Sequence, residues 1–243
     1  MNAVNAGIDT AMILAAGRGE RMRPLTDHAP KPLLVAGDQP LIVHLLRALV
    51  NAGFTRVVIN LAHLGEQIAM YLGDGSAYGV ELFYSREFPA LETAGGIARA
   101  LPYLGTEPFV VVNGDIWTNY DFSKLRRNGL PFNKLAHLVL VENPPQHAQG
   151  DFCLDRMDTA SRFARVYDGD ADRLTFSGIG CYHPALFAGM TDAAPTRLAP
   201  ILRTAMKMNK VSGEKLQGQW FDVGTPERLS ELNILLKRAQ HGC

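Results

Sequence analysis

The sequence predicts an α/β fold in three layers, with a mixed, mostly parallel central sheet and helices on both of its faces. Three observations lead there. Short β-rich runs alternate with segments of helical periodicity, the pattern of strand–helix–strand units that build a parallel sheet. One run, residues 109–112, is apolar at every position, as a strand covered on both faces must be. At 243 residues and 47% hydrophobic composition, the chain can bury a core of this kind.

The elements follow in order. Residues 11–14 read as a buried first strand. Residues 41–52 carry apolar side chains at 41, 42, 45, 46 and 49, a helical spacing that Gly53 closes. A strand is expected at 56–60, a helix at 64–72, a strand at 81–85, and a short helix after Gly95-Gly96 running to Leu101. The strand at 109–112 is followed by another at 136–141. The second half is less regular, with strands near 150–154, 162–167, 175–182 and 211–217 and helices at 198–207 and 226–240. Thr225-Pro226-Glu227 supplies a helix start: a capping hydroxyl, proline in the first turn and an acid at the positive dipole end. The length suits one domain over residues 1–243, with 1–9 as a loose tail.

Composition narrows the function. With 24 basic and 24 acidic residues, the formal net charge is zero, so no global field draws the chain to nucleic acid or anionic lipid. Three widely spaced cysteines, Cys153, Cys181 and Cys243, form neither a disulfide framework nor a zinc motif and suit a reducing compartment. The N-terminus has no basic n-region, and its apolar run is too short for a signal peptide or a span. The expectation is a cytoplasmic protein, a monomer or small homo-oligomer, without nucleic-acid or membrane partners.

Anion recognition must then be local, and residues 14–33 provide it. Small residues at Ala15, Ala16, Gly17 and Gly19 let backbone N–H groups approach an anion closely. Arg18, Arg21, Arg23 and Lys31 set cations beside them, with Lys31 aimed by Pro30 and Pro32. A dinucleotide fingerprint would need glycine where Met22 stands, and the GxxxxGK[ST] pattern is absent. Further along, two aspartates stand at strand ends, where ligands of open α/β sheets bind. Asp115 closes Val112-Asn113-Gly114-Asp115. Asp222 lies between bulky neighbours in Trp220-Phe221-Asp222-Val223-Gly224-Thr225, where a carboxylate needs a partner. A shared Mg²⁺ would supply one, since that ion takes one or two protein carboxylates and fills its shell with phosphate and water.

The string Leu14-Ala15-Ala16-Gly17-x-Gly19-x-Arg21-Met22-x-Pro24-Leu25-Thr26, with Pro30-Lys31-Pro32-Leu33, resembles the signature of the sugar-1-phosphate nucleotidylyltransferases. The resemblance runs from Thr10 to Gln240. It implies a Rossmann-like three-layer fold, a nucleoside triphosphate and a sugar 1-phosphate as substrates, and a nucleotide sugar and pyrophosphate as products. It assigns Asp115 and Asp222 to the metal. Gly19, Glu20, Arg21 and Lys31 would border the phosphates, and Glu92 and Thr93 of Leu91-Glu92-Thr93-Ala94-Gly95-Gly96 the base. Asn113, Gly150 and Ser177 would meet the sugar. Catalysis would rest on Arg21, Lys31 and Asp115, with no general base, because a phosphate nucleophile is already anionic. Relatives with a hexapeptide-repeat tail extend further than this chain does.

Within the family the resemblance is nearest to short bacterial enzymes that make UDP-N-acetylmuramic acid from UTP and N-acetylmuramate 1-phosphate. Short mannose-1-phosphate guanylyltransferases share several of the same motifs. One departure stands out. Where many members place Glu-Lys-Pro, with its lysine on the sugar phosphate, this chain has Asp168-Gly169-Asp170-Ala171-Asp172-Arg173. Arg173, Arg165, the metal or backbone groups are left to bind that phosphate. The same acidic run satisfies the Asp-x-Asp pattern of metal-dependent glycosyltransferases, a rival that leaves the cationic loop unexplained. A non-catalytic nucleotide-sugar sensor is a third reading, against which Arg21, Lys31, Asp115 and Asp222 all speak.

Overall fold

The computed structural model describes residues 7–155, 163–191 and 194–241. In chain order the elements are β1 (Thr10–Leu14), β2 (Val35–Ala36), β3 (Gln39–Pro40), α1 (Leu41–Asn51), β4 (Arg56–Leu61), α2 (Gly65–Leu72), β5 (Glu81–Arg86), α3 (Glu92–Leu104), β6 (Phe109–Asn113) and β7 (Ile116–Thr118). They continue with α4 (Ser123–Asn128), β8 (Ala136–Val141), β9 (Phe152–Leu154), β10 (Ala164–Tyr167), β11 (Arg173–Tyr182), α5 (Leu198–Lys207), β12 (Val211–Lys215), β13 (Trp220–Asp222) and α6 (Pro226–His241). Arg162 and Cys243, which figured in the sequence reading, lie outside the described residues.

The main sheet has nine strands in the order β5-β4-β1-β6-β11-β8-β12-β10-β9. The pairs β5–β4, β4–β1, β1–β6 and β8–β12 are parallel, while β11 and β10 run against their neighbours. The other strands of the sheet therefore share one direction. Strand alternation builds the two cores. Ala11, Ile13, Val57, Ile59, Val110 and Val112 face the side covered by α1 and α2, whereas Met12, Val58 and Val111 face α3 and α5. Phe109–Asn113 lies between them as the buried central strand that its apolar run demands. A third, smaller cluster joins Met22, Leu41, Val223, Leu229 and Leu232, fastening α6 to the loop after β1. No helix among the described residues is long and apolar enough to cross a membrane.

Three expectations need correction. Residues 7–9 are not a loose tail: Ile8 is buried and donates its N–H to the Arg126 carbonyl at 3.0 Å, and Asp9 pairs with Arg126 at 2.7 Å. Residues 1–6 lie outside the described part. The helix expected after Gly95-Gly96 starts earlier, at Glu92, so both glycines sit inside it. Packing explains them. A Cβ on Gly95 would stand 2.6 Å from the Ala194 carbonyl oxygen, and one on Gly96 2.6 Å from Glu87 Oε1. Finally, Leu64 caps α2 in a left-handed conformation rather than belonging to it.

Candidate active site

The C-terminal ends of β1, β4 and β6 open onto a cleft of about 590 Å³, within the usual range for a small-molecule site. Its floor is the loop after β1. Ala15, Ala16, Gly17, Gly19, Glu20, Arg21 and Lys31 all border it, as do Glu92, Thr93, Asn113 and Asp115. Gly19 has φ +63°, and a Cβ there would crowd Thr26 and Lys31 at 3.0 and 3.1 Å, so the turn requires glycine. Gly17 has open space around its Cβ position, which keeps the loop accessible instead. Thr26 closes the loop by donating its hydroxyl to the Gly19 carbonyl at 2.9 Å.

The Ala15 amide does not face a ligand. It donates to Asn60 Oδ1 at 2.7 Å; Asn60 Nδ2 donates to Glu87 Oε1 at 2.7 Å, and Glu87 Oε2 accepts from the Leu91 amide at 2.8 Å. This buried chain links the loop after β1 to the start of α3, so one network fixes both walls of the cleft. Asn60 and Glu87 were missed from sequence because each looks like an ordinary polar residue at a strand end. Only the Gly96 position, too tight for any side chain beside Glu87, carried a trace of the arrangement. Among the described residues, the amides of Ala16, Gly17, Arg18 and Gly19 have no protein partner and are the loop's free donors. Glu92 starts α3 at φ +59°, with Arg197 4.0 Å from its carboxylate.

Asp115 follows directly from β6. Gly114 donates to the Leu14 carbonyl at 2.8 Å, and a Cβ there would lie 2.5 Å from that same oxygen, so glycine lets the two strand ends meet. Lys31, 7% exposed, reaches Asp115 Oδ2 at 2.7 Å. Asp222 arrives from β13, which pairs antiparallel with β7 so that Asp222 stands opposite Ile116. Arg228, in the first turn of α6, donates to the Asp222 carbonyl at 3.2 Å and also to its carboxylate. The Thr225 cap is present, accepting from the Arg228 amide at 3.4 Å.

A second pocket of about 300 Å³ opens beside the first and shares Arg21, Asn113 and Asp115 with it. Asp222, Ser177, Thr175, Trp220, Pro144, Gln146 and His147 are among its other lining residues. Ser177 borders this pocket, but its hydroxyl donates to the Val139 carbonyl at 2.7 Å and accepts from the Ile179 amide at 3.2 Å. It serves the bulge in β11 rather than a ligand. Gly150 borders neither pocket. It takes φ +61° where a Cβ would meet Asn143 Oδ1 at 2.7 Å, and its effect is to bring Asp151 in behind His147.

The acidic run lies elsewhere. Asp168 is held by Arg203 at 3.1 Å and Arg173 at 3.6 Å, and Asp170 by Arg173 at 3.3 Å; none of them borders either pocket. That leaves the glycosyltransferase reading without a site. Arg173, held by those aspartates, and Arg165, which packs on the Tyr167 ring, border neither pocket. Arg21 is the arginine common to both pockets, and it has no ion-pair partner among the described residues.

Comparison with known proteins agrees with this geometry. The nucleotidyl transferase family model matches residues 10–238. An N-acetylmuramate alpha-1-phosphate uridylyltransferase from Neisseria meningitidis serogroup B is 55% identical over 229 residues, covering 93% of this chain and 97% of that enzyme. A mannose-1-phosphate guanylyltransferase catalytic subunit beta from Drosophila pseudoobscura pseudoobscura is 30% identical over 223 residues, covering 89% of this chain and 59% of that one. A Bacillus anthracis protein described as a glucose-1-phosphate thymidylyltransferase, crystallised with sucrose, superposes with a TM-score of 0.79 at 20% identity, covering 94% of this chain and 95% of its own; at that identity it speaks for the fold alone. With a family model matched over nearly its whole length and a relative 55% identical across nearly all of both chains, the chain belongs to the nucleotidyl transferase family.

Proposed function

We propose that this protein transfers the uridylyl group of UTP to N-acetylmuramate 1-phosphate, giving UDP-N-acetylmuramic acid and pyrophosphate in bacterial cell-wall recycling. The observation that carries the reading is the junction of the two pockets at Arg21, Asn113 and Asp115. Two anionic substrates, one in each pocket, meet end to end there. An oxygen of the acceptor phosphate attacks the α-phosphorus, the new P–O bond forms, and the bond to the β-phosphate oxygen breaks to release pyrophosphate.

The loop amides of Ala16 to Gly19 and the cations Arg21 and Lys31 hold and neutralise the triphosphate, while Glu92 and Thr93, which border the same cleft, read the base. Catalysis is alignment and charge neutralisation. Arg21, bordering both pockets, takes the place of the absent lysine toward the acceptor phosphate. Asp115 and Asp222 suit one Mg²⁺. Among the described residues no group of three or more acidic, histidine or cysteine side chains gathers, so the rest of the shell would come from phosphate and water, the way this ion is ordinarily held. When bound, it adds positive charge beside the reacting phosphates. UTP as substrate and the free, buried Cys153 and Cys181 support a cytoplasmic setting, with the protein acting as a monomer or small homo-oligomer.

The test is a panel. UTP and GTP are each offered with N-acetylmuramate 1-phosphate, N-acetylglucosamine 1-phosphate and mannose 1-phosphate, with and without Mg²⁺, and pyrophosphate is measured. The expected result is Mg²⁺-dependent release, greatest with UTP and N-acetylmuramate 1-phosphate. A clear preference for GTP and mannose 1-phosphate would replace this reading with the guanylyltransferase one.

A further inference from the structure

We infer that His147 is a specificity-determining residue of the second pocket, the cation that meets a second acid group carried by the acceptor sugar. The inference rests on the uridylyltransferase reading and deepens it. N-acetylmuramate differs from N-acetylglucosamine by a lactyl ether that ends in a carboxylate. Taking that charge out of water into the pocket is unfavourable unless a cation receives it.

The pocket offers two cation-capable side chains, Arg21 and His147. Arg21 is shared with the triphosphate cleft and so belongs to the phosphate end. Three of the other polar side chains are engaged within the protein. Thr175 Oγ1 donates to Asn143 Oδ1 at 2.9 Å, Ser177 is tied to Val139, and Trp220 Nε1 donates to the Ser177 carbonyl at 2.8 Å. His147 is different. Its side chain is 44% exposed, and one ring nitrogen, Nε2, lies 3.1 Å from Asp151 Oδ1.

That contact is built rather than incidental. Asp151 is itself fixed, its Oδ2 accepting from the Phe176 amide at 2.8 Å. The turn bearing His147 is closed by its own amide on the Pro144 carbonyl at 2.8 Å and by the Gly150 amide on the His147 carbonyl at 3.2 Å. Asn143 Nδ2 pins the turn's far side by donating to the Ala148 carbonyl at 3.1 Å. An imidazolium with Nε2 on Asp151 has its second ring N–H left to donate to an incoming carboxylate. Gly150 gains a purpose here too: its left-handed backbone places Asp151 against the ring.

The experiment measures pyrophosphate release by wild type and His147→Ala, with UTP and either N-acetylmuramate 1-phosphate or N-acetylglucosamine 1-phosphate, the slower acceptor also being titrated as a competitor to obtain its affinity. The expected result is a KM for N-acetylmuramate 1-phosphate raised about ten- to hundredfold, the scale of a lost charge-assisted hydrogen bond. The affinity for N-acetylglucosamine 1-phosphate should stay within about twofold, which also reports an intact fold. An unchanged KM for the acid-bearing sugar, or equal losses for both sugars, would overturn the role of His147 while leaving the uridylyltransferase reading in place. A wild type that releases pyrophosphate with N-acetylglucosamine 1-phosphate and not with the acid-bearing sugar would overturn both.

Discussion

Asp115 and Asp222, far apart in the chain, are brought side by side by backbone hydrogen bonding: Val223 donates its N–H to the Asp115 carbonyl at 2.9 Å, and Asp222 stands opposite Ile116 in the two-stranded ribbon of β7 and β13. Both carboxylates border the same pocket, so the ribbon, rather than either loop alone, assembles the acidic end of the site.

Lys31 is the buried half of an ion pair whose other half, Asp115, is more exposed. Replacing it by methionine keeps most of its volume and removes the charge. The expected loss in kcat/KM is about ten- to hundredfold, the worth of one charge-assisted hydrogen bond made in the transition state. Asp115 can turn to solvent, so stability should change by no more than about 1 kcal/mol. Steady-state kinetics beside a denaturation curve separates the two effects.

The chain Ala15–Asn60–Glu87–Leu91 should couple stability to nucleotide affinity. Asn60→Ala leaves the Ala15 amide and one Glu87 oxygen without partners, at about 1–3 kcal/mol for each buried group. Urea unfolding should register that loss, and the KM for UTP should rise in the same protein. Gly96→Ala, which forces a methyl against Glu87 Oε1, should act in the same direction. Normal stability and normal KM in both variants would remove the network from the account.

His137 sets an acid limit on the fold. It is buried between β8 and β12 with Nδ1 3.0 Å from the Ser212 hydroxyl, and burial lowers its pKa to about 4. A folded-state value below the unfolded one means the native state resists protonation. The associated stability is full above the unfolded value of about 6.5, and drains away as pH falls through about 4. Up to about 3 kcal/mol is at stake over that interval. Denaturation midpoints measured from pH 7 to pH 4 should fall more steeply for wild type than for His137→Gln.

Much of this was legible in the sequence. The period-3.6 pattern of α1, the fully apolar β6 and the Thr225-Pro226-Glu227 start of α6 each announce their element through local chemistry, and the structure follows. The glycine turn after β1 was legible because its backbone demands fall on particular residues, Gly19 above all. The ribbon was not. β7 and β13 are three residues each, too short for any periodicity, and they exist only because they find one another. Gly95 and Gly96 misled for a related reason: they read as helix starters, whereas the helix holds them where neighbouring backbone and Glu87 leave no room. Arg173 looked available until folding paired it with Asp168 and Asp170.

The most direct test of the shared acidic site is a double-mutant cycle on pyrophosphate release from UTP and N-acetylmuramate 1-phosphate, using Asp115→Asn, Asp222→Asn and the pair together. Each single change should lower kcat by about a hundredfold or more, and the double should be little worse than either one, because both act through one bound cation. Losses that multiply, or a single variant with near-normal turnover, would contradict it.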